Sequence, residues 1–290
     1  MSNINKHYIK TNIVDILTDN TCLAETLTEK IYYCESQSQL LSEYSTYQSI
    51  RYRDKDYKDL NKRCVLREQI LNELISYRVL FNESEICLGR GGCRPTTNAM
   101  SQNFFQIIGL PGSGKSYVAN VISSRVGAYI VDSDFAKRKF PEFLSNKFAS
   151  SLLHEESNKI TYSKDENSVF TYCLKCGYSM IMPRIGHSLE GLNSYLMLGK
   201  KFGYDIYLIF MDISLNESVI CSYKRFYSTG RYTPLCKIKY EYGTLPEMNY
   251  HLIKQNDYIT GYARIKTNLY RTYDVLENHG FNKYINAFIT

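Results

Sequence analysis

Short apolar runs alternate with helix-length segments over the C-terminal part of the chain. Four runs, at residues 104–108, 128–132, 178–182 and 205–212, have the length and composition of buried strands, and a weaker fifth run covers residues 272–276. Buried strands separated by helices are typical of a parallel sheet that helices cover on both faces. The pattern therefore predicts an α/β fold with about five strands.

The N-terminal part of the chain shows helical periodicity instead. Apolar residues recur at steps of three and four over residues 57–80, and an earlier helix is predicted to end near Cys34. Glycine and proline then interrupt the pattern over residues 89–98, which predicts a loop. We therefore expect a helical N-terminal region over residues 1–95 and an α/β domain over residues 96–290.

The composition is that of a globular protein. Of the 290 residues, 44% are apolar and 22% are charged. No segment approaches the roughly 18 consecutive apolar residues of a membrane span, so we predict no membrane partner. The N-terminus lacks the apolar core of a signal peptide, which predicts a cytoplasmic protein and leaves export through other signals open.

The nine cysteines predict reduced thiols. Their number is odd and their spacing irregular, whereas a disulfide framework uses paired cysteines. One Cys-x-x-Cys, at Cys173 and Cys176, lacks the two further ligands that a structural zinc site needs. We therefore expect the cysteines to be small core residues.

Positive charge is concentrated in the C-terminal part of the chain. The formal net charge is +6, and the first 100 residues carry 13 basic and 13 acidic side chains, so the whole excess lies beyond them. A basic surface there suits a phosphate-rich ligand, either small or polymeric. Nucleic acid is therefore not excluded as a partner.

The strongest chemical signal is the segment Gly109-Leu-Pro-Gly-Ser-Gly-Lys-Ser116. It matches the P-loop pattern at every fixed position and lies between a predicted strand and a predicted helix, as that pattern requires. Its backbone N–H groups and the helix N-terminus would bind phosphates, Lys115 would reach the β- and γ-phosphates, and the Ser116 hydroxyl would ligate Mg²⁺. The predicted nucleotide-binding residues are Gly109, Leu110, Pro111, Gly112, Ser113, Gly114, Lys115, Ser116 and Tyr117. The expected fold is thus a P-loop NTPase-type parallel sheet of about five strands flanked by helices, with an N-terminal helical region.

Two further segments carry candidate catalytic residues. Asp132 and Asp134 follow the second predicted strand, whose carboxyl end faces the ligand crevice in such sheets. We predict Asp134 as the base that accepts the proton of an acceptor hydroxyl and Asp132 as a residue near Mg²⁺, with N-capping of the next helix as the alternative for each. Arg225 and Arg231 flank a Ser-Thr-Gly segment and suit a lid that closes on the phosphates, or else form a surface pair.

These motifs together resemble the zeta-toxin family of P-loop kinases. The resemblance rests on the P-loop, on Asp-Ser-Asp-Phe with its following Pro-Glu-Phe, on His154-Glu-Glu-Ser-Asn and on Arg225…Gly-Arg-Tyr-Thr-Pro, and it covers about residues 104–236. It implies that Asp134 is the base, that Lys115 and Ser116 bind nucleotide, and that Arg225 and Arg231 belong to the lid. The zeta toxins that the chain resembles phosphorylate the 3′-hydroxyl of UDP-N-acetylglucosamine, and separate helical antitoxins cover their nucleotide site.

The chain departs from that family at the expected acceptor site. The best-known zeta toxins carry Glu-Gly-Thr after the third strand, where this chain has Met-Pro-Arg-Ile-Gly, and many other members have a proline-containing version. The resemblance therefore does not determine the acceptor. Pro183 and Arg184 would line the acceptor pocket, and Arg184 would meet an acceptor phosphate. Glu155 or Glu156 would hold acceptor hydroxyls, as a glutamate of this region does in the family. Exposure to solvent is the alternative for Arg184 and for both glutamates.

The sequence therefore predicts a Mg²⁺-dependent kinase that transfers the γ-phosphoryl of ATP or GTP to a hydroxyl of a small acceptor, for example a UDP-sugar or another nucleotide. The alternatives are a polynucleotide 5′-hydroxyl kinase, which would need a basic, aromatic-lined channel, and a regulatory nucleotide-binding module. Residues 1–95 would inhibit the kinase intramolecularly, cap its substrate or form a dimer interface, and a separate antitoxin is a further possible partner.

Overall fold

The computed structural model describes residues 4–14, 18, 21–41, 44–145, 149–229, 232–281 and 284. The α-helices are α1 (Lys6–Ile9), α2 (Thr21–Leu41), α3 (Leu60–Ser76), α4 (Lys115–Val126), α5 (Ser133–Lys139), α6 (Pro141–Ser145), α7 (Ala149–Leu152), α8 (His154–Tyr162), α9 (Val169–Cys176), α10 (Leu189–Lys201), α11 (Leu215–Thr229) and α12 (Leu245–Ile253). The strands are β1 (Asn103–Gly109), β2 (Tyr129–Ile130), β3 (Met180–Arg184), β4 (Asp205–Asp212), β5 (Ile259–Thr267) and β6 (Tyr273–His279). Short 3₁₀ turns cover Ile50–Tyr52, Lys55–Tyr57 and Glu83–Glu85, and π-helical turns cover Lys10–Val14 and Lys237–Tyr242. Within these ranges, no helix is both long and apolar enough to cross a membrane.

One six-stranded sheet forms the centre of the fold. Its strand order is β2-β3-β1-β4-β5-β6, with the first five strands parallel and β6 antiparallel to β5. All seven residues of β1 are buried, because this central strand has neighbours on both sides and helices on both faces. The predicted α/β fold with a largely parallel sheet is confirmed.

The fifth predicted strand is not the fifth parallel strand of the sheet. Residues 273–276 of this run belong to β6, the antiparallel edge strand, and the fifth parallel strand is β5, which the apolar pattern did not indicate. Along β5 most buried positions alternate with more exposed ones, which include Arg264 and Lys266. A strand of this kind lacks the continuous apolar run that identified β1 and β4.

The N-terminal helices pack against the α/β part of the chain. The predicted helices are present as α2, which extends beyond Cys34 to Leu41, and α3. Helix α3 shares one hydrophobic cluster with the sheet, through Leu66, Ile70 and Leu74. Helix α2 shares a second cluster with α11 and with the Lys237–Tyr242 turn, through Ala24, Leu27, Ile31 and Cys34. The division at residue 95 stays a prediction.

A buried charge network joins α3 to α6 and α8. The Arg63 guanidinium donates from Nε and Nη2 to the two carboxylate oxygens of Glu156, at 2.8 and 2.6 Å, and from Nη1 to Glu142 at 2.7 Å. Arg67 and Thr46 also donate to Glu156, each at 2.6 Å. Burial alone would raise the pKa of Glu156, but the hydrogen bonds and charge of Arg63 lower it below its ordinary value. The carboxylate is therefore held ionised in the interior.

Replacement of Arg63 by methionine is expected to lower the free energy of unfolding by about 3–5 kcal/mol, because the buried Glu142 carboxylate loses its ion-pair partner and Glu156 keeps only Arg67 and Thr46. Urea unfolding followed by circular dichroism measures the change. Arg51→Met removes an exposed arginine of the same region and should change the stability by less than about 0.5 kcal/mol. A similarly small effect of both variants would contradict a central role of Arg63.

Candidate functional site

The P-loop connects β1 to α4 in a conformation that requires glycine. Gly112 has φ +76°, and a Cβ atom there would lie 2.8 Å from Cys221 Cβ on α11. Gly114 has φ +86° and occupies the N-cap position of α4, so the first turn has no capping side chain. The N–H groups of this turn and the helix dipole are therefore available to an anion.

Lys115 places a positive charge directly on this loop. Its ammonium group donates to the carbonyl oxygens of Gly109 and Leu110, at 2.8 and 2.7 Å, and lies 3.4 Å from Ser113 Oγ. Ser116, the next residue, is exposed on the first turn of α4. Amide groups, an ammonium and a hydroxyl thus lie on consecutive residues at the end of the loop, and they are the kinds of group that bind a nucleoside triphosphate with Mg²⁺.

The two aspartates lie at the start of α5, beyond the carboxyl end of β2. Asp132 is the N-cap of this helix, and its Oδ1 accepts from the backbone N–H of Asp134 at 2.9 Å, as the capping alternative anticipated. Asp134 Oδ1 lies 3.0 Å from Nζ of Lys137, whose side chain is largely buried. Asp134 is thus held as an ion-paired carboxylate in the first helical turn, and its role as the base stays a prediction.

Helix α5 is also fixed at its C-terminal end. Lys139 is fully buried, and its ammonium donates to Glu73 Oε2 at 2.8 Å and to the carbonyl oxygens of Cys87 and Arg90. Burial alone would raise the pKa of Glu73, but its hydrogen bonds from Lys139 and Gly89 lower it. The helix that carries Asp134 is therefore attached to α3 and to the loop around Cys87 and Arg90, which precedes β1.

Arg184 lies at the carboxyl end of β3, between the P-loop strand and β2. Its guanidinium carbon lies 5.1 and 4.9 Å from the ring centres of Tyr162 and Tyr195, which are cation–π distances. Its buried Nη1 atom has no hydrogen-bond partner among the described residues. Tyr162 in turn accepts from the backbone N–H of Ser133 at 3.2 Å, which brings Arg184 close to the start of α5. Pro183 is buried within β3.

The family model for Zeta toxin matches residues 101–272, which is more than half of the chain. The chain belongs to the zeta-toxin family. Members of this family are P-loop kinases, in agreement with the loop and the sheet described above. No curated protein sequence matches the chain significantly.

Several solved structures are similar to this zeta-toxin family member, all at low sequence identity. A chain of the PezAT chromosomal toxin–antitoxin system of Streptococcus pneumoniae is 12% identical over 74% of this chain and 78% of its own length, with a TM-score of 0.49. A chain of the AvrRxo1-ORF1:-ORF2 complex is 16% identical over 78% of this chain and 72% of its own, with a TM-score of 0.46. The same complex with ATP gives 15% identity, the same coverage and a TM-score of 0.42.

The remaining predicted residues have different surroundings. Glu155 is half-buried, whereas the Glu156 carboxylate is bound within the Arg63 network, so acceptor binding by Glu156 would require that network to open. Arg225 on α11 donates from Nη2 to Thr233 Oγ1 at 2.8 Å. Arg231 lies outside the described residues. Acceptor binding and lid closure by these side chains stay predictions.

The oxygen donors near the P-loop suit Mg²⁺. The described residues contain no cluster of three His, Cys, Asp or Glu side chains able to hold a metal ion. Mg²⁺ that arrives with a nucleotide needs only one or two protein oxygens, because phosphates and water supply the others. The Ser116 hydroxyl and the Asp132 carboxylate are donors of this kind, so they fit the predicted ion.

The sequence patterns did not predict the contacts of two residues, Glu35 and Arg271. Glu35 on α2 is buried and accepts from the Tyr232 hydroxyl and from the backbone N–H groups of Leu235 and Cys236. Nothing local marks Glu35, because its partners lie about 200 residues away. Arg271, in the turn between β5 and β6, donates to the carbonyl oxygen of Gly112 at 2.7 Å. The apolar pattern did not predict β5, so it did not predict the hairpin turn between β5 and β6 that carries Arg271.

Lys115→Ala is expected to weaken binding of Mg²⁺–ATP by about tenfold to hundredfold, because a hydrogen bond to a charged group contributes about 1.5–3 kcal/mol. Isothermal titration calorimetry measures the dissociation constant. Lys175→Ala, an exposed lysine at the end of α9, is the matched control and should bind as the wild type does. Unchanged affinity in Lys115→Ala would contradict the assignment of the loop as the phosphate site.

Proposed function

We propose that the chain is a kinase that transfers the γ-phosphoryl group of ATP or GTP to a hydroxyl of a small acceptor. The observation that carries this proposal is the P-loop, with Lys115 at its centre, at the same sheet edge as Asp134 on α5. Only β3 separates the two strands from which these residues follow. An anion cradle beside an oriented carboxylate is the pair of groups that in-line phosphoryl transfer needs.

The phosphate side of the reaction uses the loop and its lysine. The N–H groups of the loop and of the first turn of α4 hold the β- and γ-phosphates, and Lys115 compensates the charge on the transferred group. Ser116 and Asp132 would hold Mg²⁺, which neutralises phosphate charge and orients the γ-phosphate for attack. Arg225 on α11, the helix that leads into the predicted lid, adds positive charge when the lid closes.

The acceptor side uses the carboxylate at the start of α5. Asp134 accepts the proton of the acceptor hydroxyl while the hydroxyl oxygen forms a bond to the γ-phosphorus. The bond from that phosphorus to the bridging oxygen breaks, and the nucleoside diphosphate leaves. The ion pair with Lys137 orients the Asp134 carboxylate before the acceptor binds.

A positively charged acceptor pocket would lie beside Asp134. Arg184 contributes a buried Nη1 atom with no hydrogen-bond partner in the described part of the chain, and Tyr162 and Tyr195 border its guanidinium. Such a group binds a phosphate of the acceptor as well as a hydroxyl. A phosphorylated acceptor, for example a nucleotide or a UDP-sugar, fits this charge. The basic C-terminal part keeps a polynucleotide 5′-hydroxyl end as the second candidate acceptor.

Asp134→Asn is expected to lose phosphorylation of the acceptor by a factor of about 100 or more, because the amide does not accept the hydroxyl proton, while ATP affinity stays near the wild-type value. The assay incubates protein with Mg²⁺–ATP and a panel of UDP-sugars, nucleosides, NAD and 5′-hydroxyl oligonucleotides, and identifies products by mass spectrometry. Asp165→Asn, on an exposed loop, is the control. Full activity of Asp134→Asn would contradict its role as the base, and phosphate on the oligonucleotide alone would favour the second candidate.

The N-terminal region is proposed to restrain the lid within the same chain. Glu35 on α2 accepts from Tyr232 and from two backbone N–H groups directly after the lid segment. Lys30 of the same helix lies 5.6 Å from the ring centre of Phe226 on α11, the helix that carries Arg225. These contacts, and the shared hydrophobic cluster, would keep the lid arginine in one position. Residues of α2 would therefore act as an intramolecular antitoxin.

Glu35→Gln is expected to raise the turnover number severalfold, because its amide cannot accept hydrogen bonds from three donors and the lid is released. Steady-state kinase kinetics on the identified acceptor measure the change. Glu25→Gln, an exposed acid on the same helix, should have no effect. A fall in turnover in a folded Glu35→Gln protein would instead indicate that α2 positions the lid for catalysis. Point variants suit this test better than deletion of residues 1–95, because α3 belongs to the main hydrophobic core.

A further inference from the structure

A stacked pair of tyrosines lies at the outer end of the P-loop. Tyr117 is in the first turn of α4, and Tyr273 begins β6. Their ring centres are 5.0 Å apart and the ring planes differ by 16°, so the rings are stacked. Tyr117 is 46% exposed. A large aromatic ring is thus held in a fixed orientation and is partly open to solvent, one residue beyond Ser116.

The hairpin turn that carries Tyr273 is itself ordered. The Asn268 side chain accepts from the backbone N–H of Tyr270 at 2.9 Å, and the Asn268 carbonyl accepts from that of Arg271 at 3.1 Å. Arg271 has φ +61°, a conformation that most side chains avoid. Its guanidinium is exposed and donates to the Gly112 carbonyl oxygen at 2.7 Å. The turn is therefore anchored to the phosphate cradle.

Tyr273 also contacts the P-loop directly, at Gly114. A Cβ atom on Gly114 would lie 2.9 Å from the Tyr273 hydroxyl oxygen, so this hydroxyl is in close contact with the backbone at the N-cap of α4. The aromatic pair thus adjoins the turn whose N–H groups are proposed to bind phosphate. Tyr117 is therefore a partly exposed aromatic ring next to the proposed phosphate site.

We propose that the Tyr117–Tyr273 pair is the platform on which the base of the nucleoside triphosphate stacks. The inference rests on the proposed function, because it takes the P-loop as the triphosphate site. Every nucleobase presents a flat π-face, and stacking on an aromatic side chain tolerates different bases. Tyr117 supplies the contact surface, Tyr273 supports its ring from behind, and the hairpin turn keeps both in register with the phosphates. The platform would accept the bases of ATP and GTP alike.

The test compares a ligand with a base and one without it. Dissociation constants of Mg²⁺–ATP and of Mg²⁺–tripolyphosphate are measured by calorimetry for the full chain and its variants. Tyr117→Ala is expected to raise the constant for ATP by about tenfold, the effect of removing one base–aromatic stack, and to change that for tripolyphosphate by less than about twofold. Tyr117→Phe keeps the ring and should bind ATP as the wild type does. Phe81→Ala removes a more exposed ring, 82% accessible, on the loop that follows α3 and should change neither constant.

The outcomes separate this inference from the function on which it rests. Selective loss of ATP affinity in Tyr117→Ala, with restoration in Tyr117→Phe, supports the platform. Wild-type affinity for ATP in Tyr117→Ala, or equal weakening of both ligands, overturns the platform and leaves the P-loop as the phosphate site. Failure of the wild-type chain to bind either ligand overturns the kinase proposal together with the platform.

Discussion

The backbone conformation of the P-loop is the constraint on which the rest of the site depends. Gly112 approaches α11 so closely that a Cβ atom would contact Cys221, and Gly114 approaches Tyr273 in the same way. The loop is thus fixed between α11 and the β5–β6 hairpin. Lys115, the Tyr117–Tyr273 pair and α11 all contact this turn or its flanking residues.

The second requirement is that the candidate base helix keeps a fixed place beside the loop. Helix α5 is capped by Asp132 at one end. Lys139 anchors its other end to Glu73 and to the carbonyl groups of Cys87 and Arg90. Because Glu73 lies on α3, the N-terminal region contributes directly to the position of Asp134. The Arg63 network ties α3 to the following helices in a similar way. The helices before the P-loop are therefore part of the framework that supports the site.

Local sequence signals were sufficient for the central part of the fold and insufficient for its periphery. The P-loop and four parallel strands follow from short apolar runs and from a glycine-rich turn, which are local features. Strand β5 was not predicted, because its polar and apolar positions alternate and because Gly261 interrupts it. The contacts of Glu35 and of Glu156 join residues about 90–200 positions apart, so they arise from packing that no local pattern encodes. The roles of Asp134 and Arg184 were inferred from motif position, and the structure adds their neighbours Lys137 and Tyr162.

The activity proposed for this zeta-toxin family member is transfer of the γ-phosphoryl group of a nucleotide to a small hydroxyl acceptor. The most direct measurement supplies the purified chain with ATP labelled with ¹⁸O in its γ-phosphoryl group, Mg²⁺ and an extract of small metabolites, and follows the label by mass spectrometry. If the chain is a small-molecule kinase, one metabolite gains a labelled phosphoryl group in step with ADP formation. Release of the label only as inorganic phosphate, or its absence from every small molecule while ATP still binds, would rule out such a kinase.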